Sequence, residues 1–177
     1  MRLLREADLL CPPEQVEREV GDRVRAAWER EYDEMLDEPV LLPGARELLT
    51  AVRERGLQVV LASSAIPRHA ARALRLLESD KRADAALTND DAERSKPDPE
   101  LLEKAMQRVD SRASLLVGDS VWDVEAGLRA GIPTVAVLSG GYGEEELRAA
   151  GATWVFEDPA DLLAHLDVVV APSLTGS

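Results

Sequence analysis

The stretch at residues 115–131, LLVGDSVWDVEAGLRAG, decides the fold. Leu115-Leu116-Val117 is apolar without alternation, the pattern of a strand covered on both faces of a parallel sheet. It runs into Gly118-Asp119-Ser120, and from Val121 a helical pattern continues to Ala130 and stops at Gly131. A buried strand feeding a helix through a short turn is the repeating unit of an open parallel α/β sheet. The unit recurs outward in both directions. Upstream, the pattern predicts a helix from about Gly44 to Gly56, a strand at 57–62 and a helix carrying Ala70, Ala73, Leu74 and Leu77. A short strand at 85–88 follows, then a helix at 99–109 with Asp98 as cap and Pro99 first. Downstream, it predicts strands at 134–138 and 154–156, with helices at 144–150 and 160–166. The expected fold is an open parallel, Rossmann-like sheet flanked by helices, with ligands bound beyond the carboxyl ends of its strands.

Residues 1–37 read differently, as helix alone. Val16, Val20, Val24, Ala27, Trp28, Tyr32 and Met35 recur at three- and four-residue steps, and Asp37-Glu38-Pro39 breaks the pattern. The expected division is a helical segment at 1–37, an α/β core at 38–166 and a loose tail at 167–177. The 177 residues include 21 Lys+Arg and 34 Asp+Glu, a formal charge of −13 that disfavours nucleic acid and anionic membrane surfaces. With 45% apolar and 31% charged residues the chain is globular in composition. The lone Cys11 excludes an internal disulfide or a cysteine-based zinc site. No apolar run suits a membrane span and no signal peptide opens the chain, so a cytoplasmic protein is expected.

Three predicted strand ends carry chemistry: Ser63-Ser64, Ser95-Lys96-Pro97-Asp98-Pro99, and Gly118-Asp119-Ser120-Val121-Trp122-Asp123. Each has a plain structural reading. Ser63 or Ser64 can cap the next helix, Lys96 can be a solvated lysine, and Ser120 with Asp123 fits a capping box. Asp119 is harder to dismiss, because a carboxylate at the end of a buried strand needs a partner. Together, a hydroxyl, a lysine and a carboxylate pair on successive elements are equipment for a phosphate. Ser63 and nearby N–H groups would bond phosphate oxygens, Lys96 would neutralise charge, and Asp119 with Asp123 would hold Mg²⁺.

These three stretches, with Pro43-Gly44-Ala45-Arg46-Glu47-Leu48-Leu49, make the chain resemble the haloacid dehalogenase superfamily of phosphohydrolases. The likeness is to its phosphoglycolate-phosphatase-like and β-phosphoglucomutase-like branch, and it covers nearly everything from 43 to 166. The resemblance implies that Ser63 and Lys96 each serve both phosphate binding and catalysis, and that Ser64 beside Ser63 binds phosphate. It makes Asp119 the metal ligand and Asp123 the carboxylate supporting it at the metal, with Mg²⁺ as cofactor. Residues 1–37 then look like part of a helical cap. The implied substrate is a small phosphorylated metabolite, with no nucleic-acid or membrane partner. Oligomeric state is open, a monomer being the expectation for a complete protein.

One family motif is not in these residues. Asp-x-Asp-Gly-Thr, whose first aspartate attacks the phosphoryl group, does not occur, and Glu6-Ala7-Asp8 lacks its glycine and threonine. In the family that motif ends a strand lying between those expected here at 57–62 and 115–118. The expectation is therefore a core without its first strand, split mid-sheet, that binds phosphate and Mg²⁺ but turns over little. A reading frame opened inside the cap is the expected origin. The alternative is a non-catalytic phosphate-binding module. A phosphorylation-receiver reading ranks last, because Lys96 precedes Asp119. Of the remaining residues, Arg68 lies beside the Ser63 turn, Trp122 is expected to pack, and His69 and His165 are isolated. The glycines at 140, 141 and 143 either border the site or merely connect elements.

Overall fold

The computed structural model describes residues 20, 21, 23, 24, 26, 27, 30, 31, 40–109 and 113–174, the last three by backbone alone. The chain divides into two units, Met1–Pro39 and Val40–Ser177. In the first, every described residue is helical; Val24, on the predicted apolar stripe, is 61% exposed. Cys11, Trp28, Tyr32, Met35 and the Glu6-Ala7-Asp8 cluster lie outside the described residues.

The second unit alternates strand and helix as its apolar runs require. Its elements are α1 (Ala45–Glu54), β1 (Val60–Ala62), α2 (Pro67–Leu77), α3 (Ser79–Arg82), β2 (Ala85–Leu87), α4 (Glu100–Arg108) and β3 (Leu116–Gly118). Then come α5 (Val121–Ala130), β4 (Thr134–Val137), α6 (Glu144–Ala149), β5 (Trp154–Phe156), α7 (Pro159–Ala164) and α8 (Leu166–Leu174). All described strand pairings are parallel. In β4 all four residues are buried, since both its edges are paired and both its faces covered. Its side chains alternate: Val135 meets Leu48, Leu162, Leu166 and Val169 on one face, and Ala136 meets Val124 and Leu147 on the other. Burying a valine or leucine side chain stabilises by about 1.5–3 kcal/mol.

Among the described residues the strands form two sheets, β1-β2 and β3-β4-β5, and no strand joins β1 to β3. The division falls where the first strand of the expected fold would lie. Its mark is exposure: Val117, in the middle of β3, is 46% exposed, and none of the β1 residues is fully buried. An unpaired backbone group costs about 1–3 kcal/mol if it is buried, and access to water is what spares an open edge that cost. Helices hold the two halves together. On α4, Leu101 and Ala105 pack on Leu87, Val60 and Ala62, while Leu102 packs with Leu116 and Ala126. On the other face, Leu48 of α1 reaches the cluster that contains Val135. Gly44, at φ +73°, starts α1 where a Cβ would stand 2.6 Å from the Ala160 Cα.

Two expectations need correction. The strand at 57–62 shortens to three residues, because Val59 and Asp84 bond each other outside the ladder. The Val59 N–H donates to the Asp84 carboxylate at 2.8 Å and the Asp84 N–H to the Val59 carbonyl at 2.7 Å. The region after 166 is helix through Leu174 rather than loose, because Val169 and Val170 are buried against the α1 and α7 side. Among the described residues no helix is long and apolar enough to cross a membrane.

Candidate active site

Ser63, Ser64 and Asp119 follow strand ends, Lys96 lies in the loop between β2 and α4, and Asp123 sits in the first turn of α5. Ser63 follows β1, and its N–H donates to the Leu87 carbonyl at 3.0 Å, extending the pairing with β2. Neither Ser63 nor Ser64 caps α2, whose N-cap is Ile66, so the plain reading of these serines is not met. Instead the Ser63 hydroxyl oxygen accepts from the Ala65 N–H at 3.2 Å, which leaves its own proton available to a ligand. Ser64 is exposed beside it. Arg68 donates to the ring of its neighbour His69 at 3.3 Å.

Lys96 is held by a folded-back loop. The Glu100 carboxylate accepts from the N–H groups of Glu93 and Arg94 at 3.2 and 3.1 Å, and Asp98 accepts from the Glu100 N–H at 3.0 Å. The Lys96–Pro97 peptide is cis. From this loop the Lys96 ammonium reaches Asp123, with Nζ 2.5 Å from Oδ1. That bond brings the turn after β2 to the turn after β3, so both lie on one rim.

Asp123 is 5% exposed and saturated on one oxygen. Its Oδ2 accepts from the Ser120 hydroxyl at 2.6 Å, the Ser120 N–H at 3.2 Å and the Asp119 N–H at 3.3 Å. The Asp123 N–H in turn donates to the Ser120 hydroxyl at 3.2 Å, so the expected capping box is present. The same carboxylate therefore starts α5, shapes the Asp119 turn and fixes Lys96. Gly118 makes room for it, since a Cβ there would stand 2.4 Å from the Asp123 Cβ.

The two carboxyls differ electrostatically. Burial pushes Asp123 up, but the charge and hydrogen bond of Lys96, aided by Ser120 and Asp119, outweigh it and leave the group below its ordinary value. Asp119 lies open on the surface, yet partial shielding of its carboxyl raises its pKa, and the Asp123 charge adds to this against the pull of Lys96. A buried carboxylate held ionised thus stands beside a more basic, accessible one. Among the described residues no group of three or more His, Cys, Asp or Glu could hold a metal, so a cation here would rely on these two. That suits Mg²⁺, which takes one or two carboxylates and completes its shell with water and phosphate oxygen.

Lys96, Asp119 and Asp123 thus form one cluster, while the hydroxyl of Ser63 bonds within its own turn. Trp122 departs from expectation: it is 49% exposed rather than packed, because α5 turns that face outward beside Asp119. His165 stacks on Phe156 with centroids 5.5 Å apart. A depression of about 490 Å³ lined by Arg46, Glu47, Glu54 and Arg82 contains none of the predicted site residues.

Comparison with known proteins gives the family of the chain. The family model described as haloacid dehalogenase-like hydrolase matches residues 4–131. The pyrophosphatase PpaX of Halalkalibacterium halodurans is 31% identical over 122 residues, 68% of this chain and 57% of that protein. PpaX of Anoxybacillus flavithermus is 28% identical over 167 residues, 93% of this chain and 76% of that protein. A solved structure of a hydrolase from Pseudomonas syringae superposes with a TM-score of 0.73 at 35% identity, covering 94% of this chain and 76% of that one. The matched part therefore spans little more than half the length of the Halalkalibacterium relative. With the family model matching well over half its length, the chain belongs to the haloacid dehalogenase-like hydrolases.

Proposed function

We propose that these residues are the phosphate- and Mg²⁺-binding core of a phosphohydrolase acting on small phosphorylated metabolites. The observation that carries the reading is the Lys96–Asp123 bond of 2.5 Å, which closes a cation onto the turn that presents Asp119. An ammonium has three N–H donors; with one on Asp123, two can face a phosphoryl group. The Ser63 hydroxyl donates its free proton to another phosphate oxygen, with Ser64 and the turn N–H groups around it. Asp119 is the metal ligand, and Asp123 supports it, reaching a cation only through Oδ1, since Oδ2 is taken. Mg²⁺, when bound, supplies positive charge that offsets the negative charge of the phosphoryl group.

Binding and attack are separable in this scheme. The 177 residues hold no Asp-x-Asp-Gly-Thr, so they bind and orient phosphate without a nucleophilic carboxylate of that kind. Inorganic pyrophosphate is the first substrate to offer, because the relatives are pyrophosphatases. The test is calorimetric titration of the chain with orthophosphate, with and without Mg²⁺, beside a release assay on pyrophosphate and an aryl phosphate. The expected result is Mg²⁺-dependent binding of orthophosphate and no release. Turnover of either substrate by these residues alone would overturn the separation, and no binding would overturn the site.

A further inference from the structure

We infer that Gly140 is a positioning residue for Asp119, an inference that rests on Asp119 being the cation ligand proposed above. Gly140 lies in the turn that follows β4, within Leu138–Gly140. Two ordinary reasons for a glycine are absent. Its φ is not in the left-handed region; the neighbouring Gly141, at φ +81°, is the residue that turns the chain. Nor is it packed in the core, for it is exposed. A Cβ at Gly140 would nevertheless stand 2.0 Å from the Asp119 carbonyl oxygen, 2.7 Å from its carbonyl carbon and 2.8 Å from its carboxyl carbon Cγ. Real Cβ contacts do not come below 3.0 Å, and the obstacle is main chain rather than the tip of a flexible side chain.

The turn cannot simply back away. The Leu138 N–H donates to the Glu157 carbonyl at 3.2 Å, tying its start to the end of β5. On the other side, Asp119 cannot shift alone, because its N–H is bonded to Asp123, which is locked to Ser120 and Lys96. Asp119 is therefore clamped between the Asp123 carboxylate and the bare backbone of Gly140. The site then has a further wall, supplied by the β4–α6 turn. Supporting groups of this kind alter metal affinity by about 10–100-fold when they are disturbed.

The test uses Mn²⁺ as probe, followed by electron paramagnetic resonance, on the wild-type chain, Gly140→Ala, Gly143→Ala and Asp119→Asn. Gly143 is the control in the same loop, because a Cβ there meets nothing closer than 3.5 Å and its φ is −76°. The expected result is Mn²⁺ binding weakened about tenfold or more by Gly140→Ala and unchanged by Gly143→Ala, with the fold intact by circular dichroism. Amide spectra of the metal-free proteins give a second readout: Gly140→Ala should move the Asp119 and Ser120 signals, and Gly143→Ala should not. Wild-type affinity and unmoved amides in Gly140→Ala would overturn the inference. Loss of the fold in Gly140→Ala would overturn it equally, by making Gly140 a residue of general stability. If wild type and Asp119→Asn take up Mn²⁺ alike, the cation-site reading fails, and the amide shifts alone then decide the role of Gly140.

Discussion

Breaking the Lys96–Asp123 pair should cost far more than a surface ion pair. The two side chains are 20% and 7% exposed, so most of the attraction acts out of water. In Asp123→Asn the amide retains one oxygen for either Ser120 or Lys96, and its NH₂ must face the other. Both sides of Asp123 are donors, so one donor meets another whichever way the amide turns. Removing one partner of a buried pair costs about 3–5 kcal/mol; the partial exposure of Lys96 places this case near the lower end. Lys96→Met strands the Asp123 charge but leaves its three bonds to Asp119 and Ser120, so its loss should be similar or smaller. For a chain of this size each kcal/mol moves the melting temperature by about 2–4 °C, so Asp123→Asn should melt roughly 6–12 °C lower. The double variant should recover part of the loss, with a coupling of about 1–3 kcal/mol. Urea and thermal denaturation of the four proteins measure this. A shift under about 2 °C in Asp123→Asn, or strictly additive losses, would refute the buried pair.

Three further outcomes follow from the packing and the charges. Gly127→Ala should destabilise although alanine is the better helix former by about 1 kcal/mol, because the new Cβ would stand 2.2 Å from the Thr134 Oγ1; overpacking of this kind costs about 1–3 kcal/mol, read by thermal melting. Leu162→Ala, at a side chain 1% exposed, should cost about 2–5 kcal/mol, whereas Trp122→Ala, at 49% exposure, should leave the melt nearly unchanged. The Glu100 carboxyl is held down to about 2, by Lys104 first and then by the Glu93 and Arg94 N–H groups. Its stabilising effect is therefore present above the ordinary value of 4.5 and is lost as pH falls toward 2. Carboxyl-detected NMR should find the Glu100 midpoint well below 4.5, and Lys104→Ala should raise it.

How far the sequence could be read depended on whether a feature is local. Strand–turn–helix units are local, so the run at 115–131 and its counterparts placed the elements within a few residues. The capping box at Ser120 and Asp123 is local too, and both its bonds are present. The second duty of Asp123 is not local, because Lys96 lies 27 residues away and only folding brings it in. The start of β1 lies inside its apolar run because Asp84, a residue from the neighbouring strand's approach, takes the Val59 N–H. The helix at 166–174 leaves little local signal, because its apolar side chains find their partners on α1 and α7. Gly140 could be singled out as part of a glycine-rich run, but its contact with Asp119 spans two strand ends and leaves no local trace. The division of the sheet was legible from a different kind of signal, the lack of a motif that the remaining motifs require.

In the proposed function Ser63, Lys96 and Asp119 serve one phosphate. Titrating isotope-labelled protein with orthophosphate in the presence of Mg²⁺, and following backbone amides, tests it most directly. The signals of Ser63, Ser64, Lys96, Asp119 and Ser120 should move together along one binding curve, and Asp119→Asn should weaken the whole set. Signals at Asp119 that respond while those at Ser63 stay still, or that follow a separate curve, would contradict it.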